Sequence, residues 1–61
     1  MTIGTQVYDT QTEHVGVVVE LFNRYEMSYI KINFSGGQGS YGYETSVTHF
    51  QGLVNYGRFK I

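Results

Sequence analysis

This chain of 61 residues contains no cysteine, no proline and no tryptophan. The absence of cysteine rules out disulfides and thiolate metal sites, two supports on which small folds commonly lean. A chain of this length buries only about 60% of the surface its unfolded form exposes. Its core is therefore marginal, and oligomerisation is the support left to expect. A basic excess is missing too: four Lys and Arg stand against five Asp and Glu, for a net charge of −1. Phosphate neutralisation dominates nucleic-acid affinity, and Arg24, Lys31, Arg58 and Lys60 are scattered along the chain. No stretch approaches the roughly 18 apolar residues of a membrane span, and no charged segment with an apolar run opens the sequence. These absences lead to the expectation of a single cytoplasmic domain spanning residues 1–61, without membrane contact.

Period-two apolar patterning is what the chain does have, and it is the mark of half-buried strands. Gly4-Thr5-Gln6-Val7-Tyr8 precedes a polar turn, Asp9 to Glu13, and then His14-Val15-Gly16-Val17-Val18-Val19-Glu20-Leu21. Simple alternation puts Val15, Val17, Val19 and Leu21 on one face, with Gly16, Val18, Glu20 and Phe22 on the other. Asn23 to Met27 closes a hairpin. Ile30, Ile32 and Phe34 then point inward, against Tyr29, Lys31 and Asn33. A flexible glycine loop, Ser35 to Ser40, leads to a strand from Tyr41 to Val47. Val47 to Gly52 is suited to a single helical turn, and Arg58 to Ile61 alternates again. β-branched and aromatic residues dominate these runs. The pattern predicts an all-β fold: five strands in a strongly bent antiparallel sheet, as a small barrel or a two-sheet sandwich.

Gly4-x-x-Val7, Val15-Gly16-Val17-Val18, Ile30-x-Ile32-x-Phe34, the glycine turn, Tyr43 and Leu53 together resemble the SH3-like barrels of the KOW and Tudor type. The resemblance covers roughly residues 3 to 55. It implies a small five-stranded SH3-like barrel that works by docking, on RNA, on a polymerase or on a methylated peptide. RNA-binding KOW modules are basic, and this chain is not. Tyr8, Phe22, Tyr41 and Tyr43 supply rings for a methyl-lysine cage only if they converge. The glutamine-isoleucine-tyrosine motif of the plasmid-type dihydrofolate reductases, which also use SH3-like subunits, does not occur.

Constellations that carry catalysis are sparse. Gly37-Gln38-Gly39-Ser40-Tyr41-Gly42 has the G-x-G-x-x-G spacing, but strand rather than helix is expected after it, and the dinucleotide motif requires a helix. Glycine there serves a loop, with a ligand-closing role for Gly36, Gly37 and Gly39 as the functional alternative. His14 and His49 are the only histidines, and no spacing brings them a third metal ligand. No nucleophile-elbow spacing surrounds Ser28, Ser35, Ser40 or Ser46. Asp9 with Glu13, and Glu20 with Glu26, are expected to be solvated charges beside turns. A monomer this small also offers little volume for a ligand pocket. No catalytic residue, metal or cofactor is assigned, and an enzyme would need a site shared between subunits.

The stronger signal is aromatic, with six Tyr and four Phe. Tyrosine combines large contact area with a polar tip and is enriched at interfaces. Core packing is the competing explanation, since both faces of a strand in a tight barrel can be partly buried. The reading is a non-enzymatic protein-interaction module, on the scale of a phage or plasmid accessory protein that docks on a host factor. Contacts are assigned to Tyr8, Phe22, Tyr25, Tyr29, Tyr41 and Tyr43, with Glu20, Arg24 and Lys31 at the rim. The alternative is a nucleic-acid or nucleotide binder that stacks bases on exposed tyrosines. Either module is compatible with a homo-oligomer.

Overall fold

The computed structural model describes all 61 residues, Met1–Ile61. Its elements are β1 (Gln6–Asp9), β2 (Val15–Arg24), β3 (Met27–Gly36), β4 (Gly39–Ser46), α1 (Val47–Tyr56) and β5 (Phe59–Lys60). Five antiparallel strands form one sheet in the order β4-β3-β2-β1-β5. The mostly β, five-stranded expectation holds. Closure does not follow: β4 and β5 remain the two edges. β5 is only two residues long, and a helix occupies the connection where a closing strand pair would have to form.

That helix is longer than the single turn expected at Val47 to Gly52, and its end signals explain why it continues. Ser46 is the N-cap and accepts a hydrogen bond from the His49 N–H at 3.1 Å. Phe50, Leu53 and Val54 recur at helical spacing on the core side. Gly57 ends the helix at φ 96°, donating to the carbonyls of Leu53 and Val54, as left-handed C-terminal glycines do. The poor helix formers Val47, Thr48 and Gly52 mask this signal in the sequence.

The core lies between the helix and one face of the sheet. Val7, Val18, Ile30, Ile32, Phe34, Phe50 and Phe59 are its fully buried members. Phe59 links the two layers, with ring centroids 5.7 Å from Phe34 and 5.5 Å from Phe50. Gly16 lies beneath this packing. A Cβ there would meet Ile32 Cγ2 at 2.6 Å and Phe34 Cδ1 at 2.7 Å, so the position admits no side chain.

The expectation that Val15, Val17, Val19 and Leu21 share one face is corrected by a β-bulge. Val18 pairs with Ile32 and Glu20 with Lys31, leaving Val19 as the extra residue. Ahead of the bulge the buried residues are Gly16 and Val18, while Val15 and Val17 face outward. Beyond it the parity flips: Leu21 lies opposite buried Ile30, and Phe22 opposite Tyr29 on the outer face. The loop expected from Ser35 to Ser40 is also tighter than its glycines suggest. Gly36 pairs with Gly39, and only Gly37 and Gln38 form the turn. Gly37, at φ 58°, supplies the positive φ of a two-residue hairpin.

One ion pair locks the last strand. Asp9, expected to be solvated, is 3% exposed at the end of β1, opposite Phe59. Arg58 donates to it through Nε at 2.9 Å and Nη2 at 3.1 Å. The Gln11 N–H donates to the same carboxylate at 2.9 Å. Thr10 donates its N–H and its hydroxyl to the Arg58 carbonyl. The Arg58 guanidinium, aided by hydrogen bonds from Gln11 and Thr12, lowers the Asp9 pKa from 3.8 to about 2 against the opposing effect of burial. A carboxylate depressed in the fold stabilises it above its unfolded pKa and ceases to as pH falls through the folded one.

Stability is therefore expected to drop by about 2 kcal/mol between pH 5 and pH 2 on account of this pair. Urea melts of wild type and Asp9→Asn at each pH check it; the difference between the two should shrink as the pH falls. Gly52→Ala is expected to raise stability by about 1 kcal/mol, because a Cβ at this helical position meets nothing within 4 Å. Thermal melts read that gain.

Candidate functional site

The helix packs on one face of the sheet and leaves the other uncovered. The rim and aromatic residues singled out in the sequence divide accordingly. Phe22 and Tyr29 are cross-strand neighbours on the outer face, stacked with centroids 5.6 Å apart. The Arg24 guanidinium carbon lies 5.1 Å from the Phe22 ring centre and 5.7 Å from that of Tyr29. Its Nη1 donates to Glu44 Oε1 at 3.3 Å. Glu20 pairs with Lys31, and Lys31 in turn with Glu44, so both cations of this hairpin, Arg24 and Lys31, sit beside a carboxylate-bearing position. Six sequence-selected or adjoining residues thus form one surface.

The β2–β3 hairpin bears most of this cluster, in a molecule measuring 35 × 23 × 16 Å. Its turn is Tyr25-Glu26, with φ of 52° and 63°. Two positive φ values describe a type I′ turn, where Asn-Gly is the favoured pair. Non-glycine residues there strain the backbone by about 1–2 kcal/mol each. Tyr25 is 87% exposed at this tip.

Tyr41, Tyr43 and Tyr8 stand apart from the cluster. Tyr41 and Tyr43 lie opposite Phe34 and Ile32 and so belong to the core face. Tyr41 stacks on Phe34 at 5.6 Å, and its hydroxyl is 2.9 Å from His14 Nδ1. Tyr43 packs edge-on against Phe34 and Phe59. Tyr8 faces outward at the far side of the sheet, paired with Val15 and Lys60. The rings of Tyr8, Phe22, Tyr41 and Tyr43 therefore do not converge on one cage.

Sequence reasoning missed a groove at the root of the hairpin. It measures about 490 Å³ and is lined by Met1, Leu21, Phe22, Tyr29, Val47 and Phe50, with Asn23, Ser28 and Gln51 at its margin. Beyond the bulge Leu21 faces the helix side of the sheet, opposite Ile30, yet stays 40% exposed, lining the groove together with Val47 and Phe50 of α1. The only sequence signal was that bulge, and the run of three valines conceals it. No carboxylate, imidazole or basic side chain lines the groove, and no three His, Cys, Asp or Glu side chains cluster anywhere as a metal site. No helix is long and apolar enough to cross a membrane.

Replacing Tyr25-Glu26 by Asn-Gly is expected to stabilise the fold by at least 1 kcal/mol, since it removes the strain of the turn. Chemical denaturation measures this, and a loss of stability would show that the two side chains make compensating contacts. Comparison of the chain with family models, curated proteins and solved structures finds no match, so its function is read from this geometry.

Proposed function

We propose that the protein is a non-enzymatic docking module that engages a protein partner through the outer face of the β2–β3 hairpin. The observation that carries this reading is the Phe22–Tyr29–Arg24 stack beside an apolar groove, with Tyr25 projecting from the strained turn. Tyrosine and arginine dominate binding hot spots because they bury area and keep a polar end. The groove is of a volume usual for ligand sites and would take an apolar side chain of the partner. Glu20, Lys31 and Glu44 would set orientation from the rim.

The strand order supports a relationship to the SH3-like architecture: a four-stranded meander with the fifth strand returned to β1. In this chain it would be an unclosed variant, with α1 between the edges. Protein is favoured over nucleic acid because Arg24 and Lys31, the cations of this hairpin, have acidic neighbours, and paired charge gives a phosphate backbone little to bind.

Immobilised wild type is compared with the Phe22→Ala, Arg24→Ala, Tyr25→Ala triple variant in capture from cell lysate. The expected outcome is a discrete protein held by wild type and reduced at least tenfold by the variant, with a near-unchanged melt. Salt-sensitive binding of single-stranded oligonucleotides, with no protein captured, would replace this reading with the nucleic-acid one.

A further inference from the structure

β4 is an edge strand without the devices that protect edges. Natural sheets blunt an exposed edge with Lys, Pro, a bulge or a very short strand. Gly39–Ser46 has neither Lys nor Pro, its pairing with β3 runs unbroken over eight positions, and Glu44 is its only charge. The opposite edge is guarded, because β5 has two residues and one of them is Lys60.

The free groups of this edge follow from the hairpin. In a two-residue hairpin the closing pair, here Gly36–Gly39, is hydrogen-bonded, and bonded and non-bonded pairs then alternate. Tyr41 and Tyr43 therefore bond to β3, while the N–H and C=O groups of Ser40, Gly42 and Glu44 point away from the sheet.

We infer that β4 pairs antiparallel with β4 of a second copy of this chain, in the register that sets Gly42 opposite Gly42. This inference is independent of the hairpin docking reading, which uses the outer face rather than the edge. Ser46 also turns away from β3 in this alternation, but as the N-cap its carbonyl starts the hydrogen-bond ladder of α1. The three residues that keep both groups free allow one symmetric register that uses all of them: Ser40 with Glu44, Gly42 with Gly42, and Glu44 with Ser40. It forms six backbone hydrogen bonds. It also places each Glu44 opposite a serine, so no like charges stand opposite one another. The intervening non-bonded pairs, whose side chains approach most closely, become Tyr41 with Tyr43 on the core face, twice. Those rings would extend the Phe34–Tyr43–Phe59 aromatic packing across the junction. A two-fold pairing uses up both β4 edges, and the short β5 edge does not propagate it.

Sedimentation equilibrium from micromolar to millimolar protein tests this. Wild type is expected to reach twice its 7.0 kDa mass. Residue 42 meets itself across the axis, so Gly42→Glu and Gly42→Lys should each weaken the dimer roughly tenfold by like-charge opposition. Mixing the two should restore it. Own-chain folding tolerates both, since the nearest atom to a Cβ at 42 is Lys31 Cε at 3.4 Å; Gly42→Lys, beside that lysine, should be the more disruptive. Circular dichroism checks the folding. Gly42→Pro is the second variant: it deletes an N–H that β3 does not use, and with its symmetry mate removes two of six bonds. A roughly thirtyfold weakening is expected from it. Wild type that stays monomeric at millimolar concentration overturns the inference. So does a dimer indifferent to these changes, or one that charge-swapped mixtures fail to restore.

Discussion

The fold depends on the ion pair between Asp9 and Arg58. β5 makes only two register pairs with β1, too few to hold a strand in water by backbone hydrogen bonds alone. Yet β5 carries Phe59, the ring that joins the sheet to the helix. The carboxylate is fully buried and the guanidinium one-third exposed, so part of the pair's desolvation cost is avoided while its geometry is bidentate. Around it, Thr10 and Gln11 complete the acceptors and donors of the turn. A local polar cluster thus does what a disulfide does in other small domains: it fixes the far end of the chain onto the first strand.

How far the sequence disclosed this structure depended on whether a residue's role was set locally. Ile30, Ile32 and Phe34 alternate without interruption, and all three are buried as expected. The hairpin turns were visible in the same way, although Gly36 and Gly39 proved to be strand residues. β2 was misread because period two presumes an unbroken ladder. One extra residue at Val19 reverses every face after it, and a run of valines contains nothing to say where the extra residue falls. The helix was understated because its evidence lies in its ends, Ser46 and Gly57, rather than in its interior. Asp9 looked like a turn carboxylate, and its partner is 49 positions away.

The site was legible in part for the same reason. Phe22, Tyr29, Arg24, Glu20 and Lys31, singled out as contact or rim residues, fall on one face because all lie in the part of the hairpin beyond the bulge. Tyr41 and Tyr43 share a strand face, but which face depends on the β3–β4 register, and that register points them at Ile32 and Phe34. The groove was illegible altogether. It arises between Leu21, turned to the helix side by the bulge, and the first turn of α1, so it depends on two features the sequence did not disclose.

The hairpin surface and the β4 edge have a common physical origin. A chain this small has only nine buried residues, and one ten-residue helix can cover only part of the sheet. What remains uncovered is the outer face and one long edge, and these point in perpendicular directions. Engagement of one therefore leaves the other free. In the proposed pair the two-fold axis runs normal to the sheet, so both outer faces look the same way. Three strand spacings across the junction and four residues along each strand from Gly42 to the level of Tyr29 put the two aromatic clusters roughly 30 Å apart. Two equal contacts held at that span would bind a repeated or symmetric partner far more tightly than either contact alone, because the second contact forms without a further loss of translational freedom. Pairing through the edge would thus convert a weak single contact on a marginal domain into a strong double one.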